Sequence, residues 1–399
     1  MTHYRTGLVV LLSAFLLSCG GGDSSGGSIS SGDVTPGVGS GGTGVTTARA
    51  VSIGSVDGFG SIIVNGVRWD ISSATASIAD EASLQFGMTA RVEGTADTAL
   101  STGTASQVTS AADLRGTASN INTISGTLTV MGVQVSTDEA TVYDGLTNLA
   151  GLANGDPVQI YGLPGAPGSL RATRIEKLAA SAAPVVSGAI TNLNIGAQTF
   201  VIGGLSVNYA AASFSGSLSA STLANGQIVR VRATLPPAAN ILAATQVEPW
   251  YAVPTTNNVP VALEDVITNY TSLGSFTLLG VPMDASSAQI TGGPSSAIGN
   301  GVKVEVSGAM EKGVLVVTQL KILKIPGTGG PAAFSIIGTV GNYVSAASFR
   351  VQGHPVDASG NNVIFANGNA SMLANGVKVT VTGSQVNNGV LIASQVTFN

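Results

Sequence analysis

What most limits the folds open to this chain is a pattern that returns five times. An apolar residue, a spacer, a second apolar residue, a spacer and a glycine recur at Ile62-Val64-Gly66, Leu128-Val130-Gly132, Phe200-Ile202-Gly204, Phe276-Leu278-Gly280 and Phe349-Val351-Gly353. A second motif follows each: Leu84-Gln85-Phe86-Gly87, Leu152-Ala153-Asn154-Gly155, Leu223-Ala224-Asn225-Gly226, Ile298-Gly299-Asn300-Gly301 and Leu373-Ala374-Asn375-Gly376. The closing glycine of that motif recurs at intervals of 68, 71, 75 and 75 residues. Self-similarity at a near-fixed period means one small module used repeatedly. The 399 residues are therefore expected to hold five modules of roughly 65 residues, where length alone suggests two or three domains.

The last module displays its internal plan most plainly. Residues 377–383 alternate strictly between apolar and polar, as a strand buried on one face does. Asn388-Gly389 supplies a hairpin turn, residues 390–398 the closing strand, and residues 361–375 leave room for a short helical turn. Five short strands in a module of this size predict an all-β fold, a small OB-like Greek-key barrel. A sandwich-like module stays open as the alternative. A parallel β-helix needs a shorter period, and a membrane-spanning barrel needs longer alternating strands. The expected organisation is a lipoprotein signal peptide at 1–18, a Gly/Ser-rich tether at 19–50, and β modules at 51–112, 113–180, 184–250, 259–325 and 332–399. The strands are expected to be antiparallel, with Gly87, Gly155, Gly226, Gly301 and Gly376 in equivalent turns before the fourth.

The N-terminus reads as an export signal: Arg5, then an apolar core at 7–17 that is too short to span a bilayer. It runs into Leu16-Leu17-Ser18-Cys19-Gly20, which closely resembles the lipobox of bacterial lipoproteins. That resemblance implies acylation of Cys19, the only cysteine, and a membrane partner through the N-terminal lipid. Gly20 in place of Asp implies sorting to the outer membrane, with the facing side left open. The tether should reach about 30 Å root-mean-square as a flexible coil.

The repeat itself also resembles a known type. Gly58-Phe59-Gly60-Ser61-Ile62-Ile63-Val64-Asn65-Gly66-Val67-Arg68-Trp69-Asp70, the stretch 72–75, and the weaker echo Gly353-His354-Pro355-Val356-Asp357 carry it. They resemble an uncharacterised domain found in tandem in bacterial envelope lipoproteins. The resemblance implies a β-rich, OB-like fold and the cell envelope; it implies no reaction.

Charged residues are 9% of the chain, against about 25% in ordinary globular proteins. The formal charge of −5 leaves no basic groove, which argues against nucleic-acid partners. A Gly-x-Ser-x-Gly match at 22–26 and a Gly-rich match at 37–42 fall in the tether, without the strand and helix their chemistry requires. Past the signal peptide the single histidine is His354, where the other modules have Val67, Val133, Leu205 and Val281; a turn or partly buried role is expected. The column Asp70, Ser136, Asn208, Asp284, Asp357 suits Asx-type turns better than calcium, and no metal site or cofactor is expected. The acidic doublets Asp80-Glu81, Asp138-Glu139 and Glu264-Asp265 read as solvated surface, since neighbours on a strand face opposite ways. Trp250-Tyr251, at a module junction, serves either as packing or as a stacking platform for an envelope glycan or protein ligand. The function these features imply is a non-enzymatic binding or scaffold role. A structural spacer and a carboxylate-based hydrolase are the alternatives.

Overall fold

A strand that alternates apolar and polar residues must cover its apolar face, and a small closed barrel does so without leaving edges. The computed structural model describes residues 47–324 and 333–399. The expected signal peptide, Cys19, residues 19–46 of the tether and the linker at 326–331 lie outside them. In module one, strands β1 (Thr47–Phe59), β2 (Ile62–Val64), β3 (Val67–Asp70), β4 (Thr75–Ile78), β5 (Thr89–Asp97) and β6 (Thr102–Ser110) close a circuit. β1 pairs with β2, β2 with β3, β3 with β6, β6 with β5 and β5 with β1. β4 flanks β6. The same circuit recurs in modules two, three, four and five, whose first strands begin at Leu114, Val185, Pro260 and Phe334.

Two sequence expectations change. The expected all-antiparallel pairing fails at one place in each ring, where β3 and β6 run parallel, as do their counterparts, and again where β4 and its counterparts flank that strand in parallel. Five strands closed in a ring cannot alternate direction all the way round, because five is odd. The tether is also shorter than expected. β1 starts at Thr47, and its residues 47–55 pair with β5, Arg49 reaching Glu93 at 2.8 Å.

Both motifs have direct structural roles. All ten apolar residues of the first are 2% exposed or less and fill the cores. Between the two strands it begins, Asn65-Gly66, Met131-Gly132, Leu279-Gly280 and Gln352-Gly353 take positive φ at both positions, the type I′ hairpin geometry. The second motif buries its Leu or Ile, at 3–8% exposure. Its closing glycine has φ between +75° and +95° in all five modules. That conformation aims the glycine N–H at a first-strand carbonyl: Val56, Ala118, Ile190, Ile267 or Val340, at 2.8–2.9 Å. The same first-strand residues donate back to the residue after the glycine. In modules three, four and five the Asn side chain caps a further first-strand N–H, of Leu193, Tyr270 and Tyr343, at 2.8–3.0 Å. Asn154 of module two does so at 3.5 Å. In all five modules the first strand shifts register against its hairpin partner, and in four of them Asn120, Asn192, Asn269 or Asn342 takes φ near +50° at that point.

The modules do not follow one another as beads on a line. β1 pairs in parallel with module four at Val51–Ile53 against Val261–Leu263, and with module five at Gly58–Phe59 against Ser335–Ile336. Modules one and five share one apolar core, in which Phe86 lies edge-on to Phe59 and Phe334 at 4.8 and 5.4 Å. Modules two and three share another, joined where Leu114 and Arg115 pair with Val186 and Val185.

Gly376 sits at φ +89° with no atom within 4 Å of where a Cβ would stand, so a side chain there meets backbone strain alone. Gly376→Ala should lower stability by about 1–2 kcal/mol, and Asn375→Ala, which loses the 2.8 Å bond to Tyr343, by about 1 kcal/mol. Urea unfolding of both variants checks this; two unchanged midpoints would show that the turn does not hold the first strand.

Candidate functional site

Period-two alternation sends Val56 of β1 into the core, and Ser55 and Asp57 to the opposite face. That face is covered by module four. Glu264, on its first strand Pro260–Val266, stands opposite Glu305 on Lys303–Glu311. The result is a cavity of about 310 Å³ walled by four modules. Ser55, Asp57 and Gly87 come from module one, and Asp138, Ala140 and Thr173 from module two. Glu264, Lys303, Glu305, Lys321, Ile322 and Leu323 belong to module four; Ala333 and Phe334 enter from module five.

Its charges are arranged in pairs. Lys303 Nζ lies 2.6 Å from Glu264 Oε1, and Lys321 Nζ lies 3.0 Å from Glu305 Oε2. Arg171 Nη1 lies 3.3 Å from Asp138 Oδ2. Glu264 is 1% exposed and takes two more donors on Oε2, the Ser55 amide at 2.7 Å and the Ser55 hydroxyl at 2.9 Å. Burial would raise its pKa, but Lys303 and Ser55 outweigh burial and hold it below the usual carboxylate range. Asp57 is the exception. Among the described residues its one side-chain hydrogen-bond partner is the same Ser55 hydroxyl, at 2.7 Å. Burial first, and the nearby Glu264 charge second, push its carboxyl well above the ordinary aspartate range. Burial also raises Glu305, against the pull of Lys321. Among the described residues no group of three or more His, Cys, Asp or Glu side chains is placed to hold a metal ion.

A second polar centre joins modules one, two and three. Asp113, fully buried, accepts from Trp250 Nε1 at 2.5 Å, Arg230 Nη2 at 3.0 Å, Thr89 Oγ1 at 2.9 Å and the Gly162 amide at 2.8 Å. Burial raises its pKa; Arg230 and these donors pull the other way. Tyr251 donates to the Thr89 carbonyl at 3.0 Å, and the Arg230 guanidinium lies 5.0 Å from its ring centre. Trp250 and Tyr251 are 4% and 7% exposed, so neither presents a ring face to a ligand; they pack the junction.

The other candidates fall into place around these centres. Asp70, Asn208, Asp284 and Asp357 each accept the amide two residues on, at 2.8–2.9 Å, the Asx-type turn. In module two that bond passes from Ser136 to Asp138, which accepts from Ala140. His354 stacks on Phe59 at 3.8 Å in the contact between modules one and five. Burial, then Arg350, lowers its pKa. The surface reading holds for Glu139, which is exposed, and fails for the doublets Asp80-Glu81 and Glu264-Asp265. Glu264 and Asp265 are 1% and 0% exposed, Asp80 pairs with Arg115 and Arg232, and Glu81 accepts from Gln159. Neighbouring modules fold over those strands and loops. Asp57, Lys303, Glu305, Asp113 and Arg230 escaped the sequence reading. Except for Asp113, which lies in the bend before Leu114, their available signal was a charge set in a strand with apolar neighbours, as in Val302-Lys303-Val304-Glu305-Val306.

Three segments of the chain, residues 115–176, 187–248 and 337–397, match the family model of a domain of unknown function, DUF5666. The chain thus carries tandem copies of an uncharacterised domain, in modules two, three and five. Modules one and four repeat the strand circuit outside the matched segments, and so does the Gly58–Asp70 stretch on which the resemblance in sequence rests. No curated protein matches the chain.

Removing one partner of a buried ion pair leaves an uncompensated charge. Arg230→Met, with Arg230 at 2% and Asp113 at 0% exposure, should cost about 3–5 kcal/mol. Combining it with Asp113→Leu should cost less than the two single changes added together. A double-mutant cycle by chemical denaturation measures this; strictly additive losses would mean that the two residues act independently.

Proposed function

We propose that this chain is a lipid-anchored protein of the cell envelope whose tandem β modules, OB-like in circuit, bind a ligand without chemical turnover. The observation that carries this is the cavity walled by four modules. A spacer needs contacts only between successive modules. Here modules distant in sequence converge on one polar chamber, at the lower end of the roughly 300–1,000 Å³ typical of small-molecule sites. A hydrolytic role fits less well. A nucleophile or base must reach substrate, whereas Glu264 is saturated by Lys303 and Ser55 and almost fully buried. The chamber suits a small molecule, or one residue at the end of an envelope glycan or peptide.

The outer-membrane location rests on the lipobox-like segment ending at Cys19. No helix among the described residues is long and apolar enough to cross a membrane. Cys19→Ser should move the protein from the membrane fraction to the soluble one on cell fractionation; unchanged membrane association would remove the lipid anchor.

The binding role is tested by thermal shift with a panel of envelope-derived small molecules: sugars, peptides, amines and organic acids. Ala140→Phe places a ring in the cavity wall and serves as a plug. At least one panel member should raise the melting temperature of the wild type and leave the plugged variant unmoved. A panel without effect on the wild type would favour the spacer.

A further inference from the structure

We propose that Glu81 of module one and Glu176 of module two form a pH-sensitive latch, closed while their two carboxyl groups share one proton and loosened when that proton leaves. The latch goes beyond the binding role above and stands whether or not the cavity takes a ligand.

The strand register of module two prepares the place. Asp144, Glu176, Gln159 and Arg115 stand side by side across the strands Val142–Asp144, Ser169–Lys177, Pro157–Pro164 and Leu114–Asn122. The Asp80-Glu81 segment of module one reaches over this row. Asp80 meets cations: Arg115 Nη2 at 2.6 Å, and Arg232 Nη1 and Nη2 of module three at 3.0 and 2.9 Å. Burial would raise its pKa, but Arg232 and Arg115 outweigh burial and hold it at about 2, so Asp80 stays ionised. Glu81, one residue on, meets another acid.

The Glu81 and Glu176 side chains are in hydrogen-bond contact with each other. Two carboxylates offer only acceptors, so that contact requires a proton between them. The surrounding donors do not remove the need. Gln159 is buried, and its Oε1 accepts from Arg115 Nε at 2.8 Å, which turns its Nε2 toward the acids. That one nitrogen lies 2.7 Å from Glu81 Oε1 and 3.3 Å from Glu176 Oε2. Among the described residues neither glutamate forms an ion pair: Arg174 is taken by Asp144, and Arg115 by Asp80. Carboxylates this close repel when both are ionised, and the shared proton belongs to the pair rather than to either residue.

Burial first, then the hydrogen bond and charge of Glu81, push Glu176 up to about 7, against the pull of Arg174. The other charged or titratable groups around the pair are Asp80, Arg115, Arg232, Arg174, Asp144 and the Tyr161 hydroxyl, which burial raises away from neutrality. A glutamate freed from the contact returns to its ordinary pKa of about 4.3. The closed latch therefore binds the extra proton, and closure weakens as pH rises from about 4 through about 7. The seam it holds borders the cavity. Further along the same module-one segment, the Phe86 carbonyl accepts from Arg174 Nη1 at 3.4 Å. Gly87 approaches module two so closely that a Cβ would lie 2.5 Å from the Thr173 carbonyl oxygen, and both residues belong to the cavity wall.

The test is hydrogen exchange on the full chain in detergent, read by mass spectrometry at about pH 6 and about pH 8 and corrected for the pH dependence of chemical exchange itself. Protection of residues 79–88 should fall roughly tenfold between the two, the change in closure that follows when a glutamate moves from its ordinary pKa to about 7. Glu176→Gln and Glu81→Gln each place a permanent N–H donor where the shared proton was. Both variants should be as protected at pH 8 as at pH 6, and more protected at pH 8 than the wild type. Each serves alone if the other misfolds by its melting curve. Asp57, Asp113, Asp265 and Glu305, whose pKa burial also raises, keep their response in these variants. So does His354, whose ring lies 5.9 Å from that of Phe86. The comparison therefore isolates the latch. Unchanged protection of 79–88 in the wild type, or a pH response that survives in either folded Gln variant, overturns the proposal.

Discussion

The assembly depends on one strand being covered on both faces. Ala50 to Val56 of β1 are all buried: one face lines the module-one barrel and the other is packed by modules four and five. Such packing needs a backbone that neighbours can approach closely. A Cβ at Gly54 would lie 2.0 Å from Asn65 Oδ1 and 2.8 Å from Glu264 Cβ. One at Gly60, whose φ is +108°, would lie 1.9 Å from the Ile337 carbonyl oxygen. Glycine at these two positions therefore sets where modules four and five sit. Displacing them would open the cavity, part Glu264 from Ser55, and unstack His354 from Phe59.

Around this spine the chain places a large share of its scarce charge indoors. Asp113 with Arg230, Glu264 with Lys303, and Asp80 with Arg115 and Arg232 all bridge modules or support the faces between them. Buried pairs of this kind contribute little net stability, because desolvation consumes most of the Coulomb gain. Their stronger effect is on register. A module docked one residue out of place would strand Arg230 or Lys303 in a dry interface, at a cost of several kcal/mol per ion. The apolar cores hold each barrel together, and the ion pairs select which barrel faces which.

That division explains how much of the molecule was legible in the sequence. Apolar alternation and the glycine motifs act within a module, at separations of a few dozen residues, so they announce strands, hairpins and the repeated turn. The Asx turns at Asp70, Asn208, Asp284 and Asp357 are local too, and were readable for the same reason. The candidate site is another matter. Lys303 and Lys378 occupy equivalent places in Gly-Val-Lys-Val segments, yet Lys303 is 5% exposed and Lys378 stands in solvent. Only the cover of module one over module four separates them, and no local pattern encodes that cover. The doublets Asp80-Glu81 and Glu264-Asp265 were misread on the same account: a carboxylate on an outer face looks solvated until another module closes over it.

The departures from the repeat, more than its constant columns, then carry the information about function. At the position before the motif glycine, four modules have Asn, which caps the module's own first strand. Module one has Phe86, 3% exposed, turned instead into the core shared with module five. His354 is likewise a single-copy residue, and it stacks across the same contact. In a string of independent binding beads, ligand contacts would fall in columns filled alike in every copy. Here the columns filled alike are turns and core positions, while Ser55, Asp57 and Glu264 meet in one place, each without a like residue in the other copies. A cavity assembled from single-copy residues of several modules exists only in the whole assembly. Its chemistry belongs to the way the repeats are joined rather than to the repeat itself.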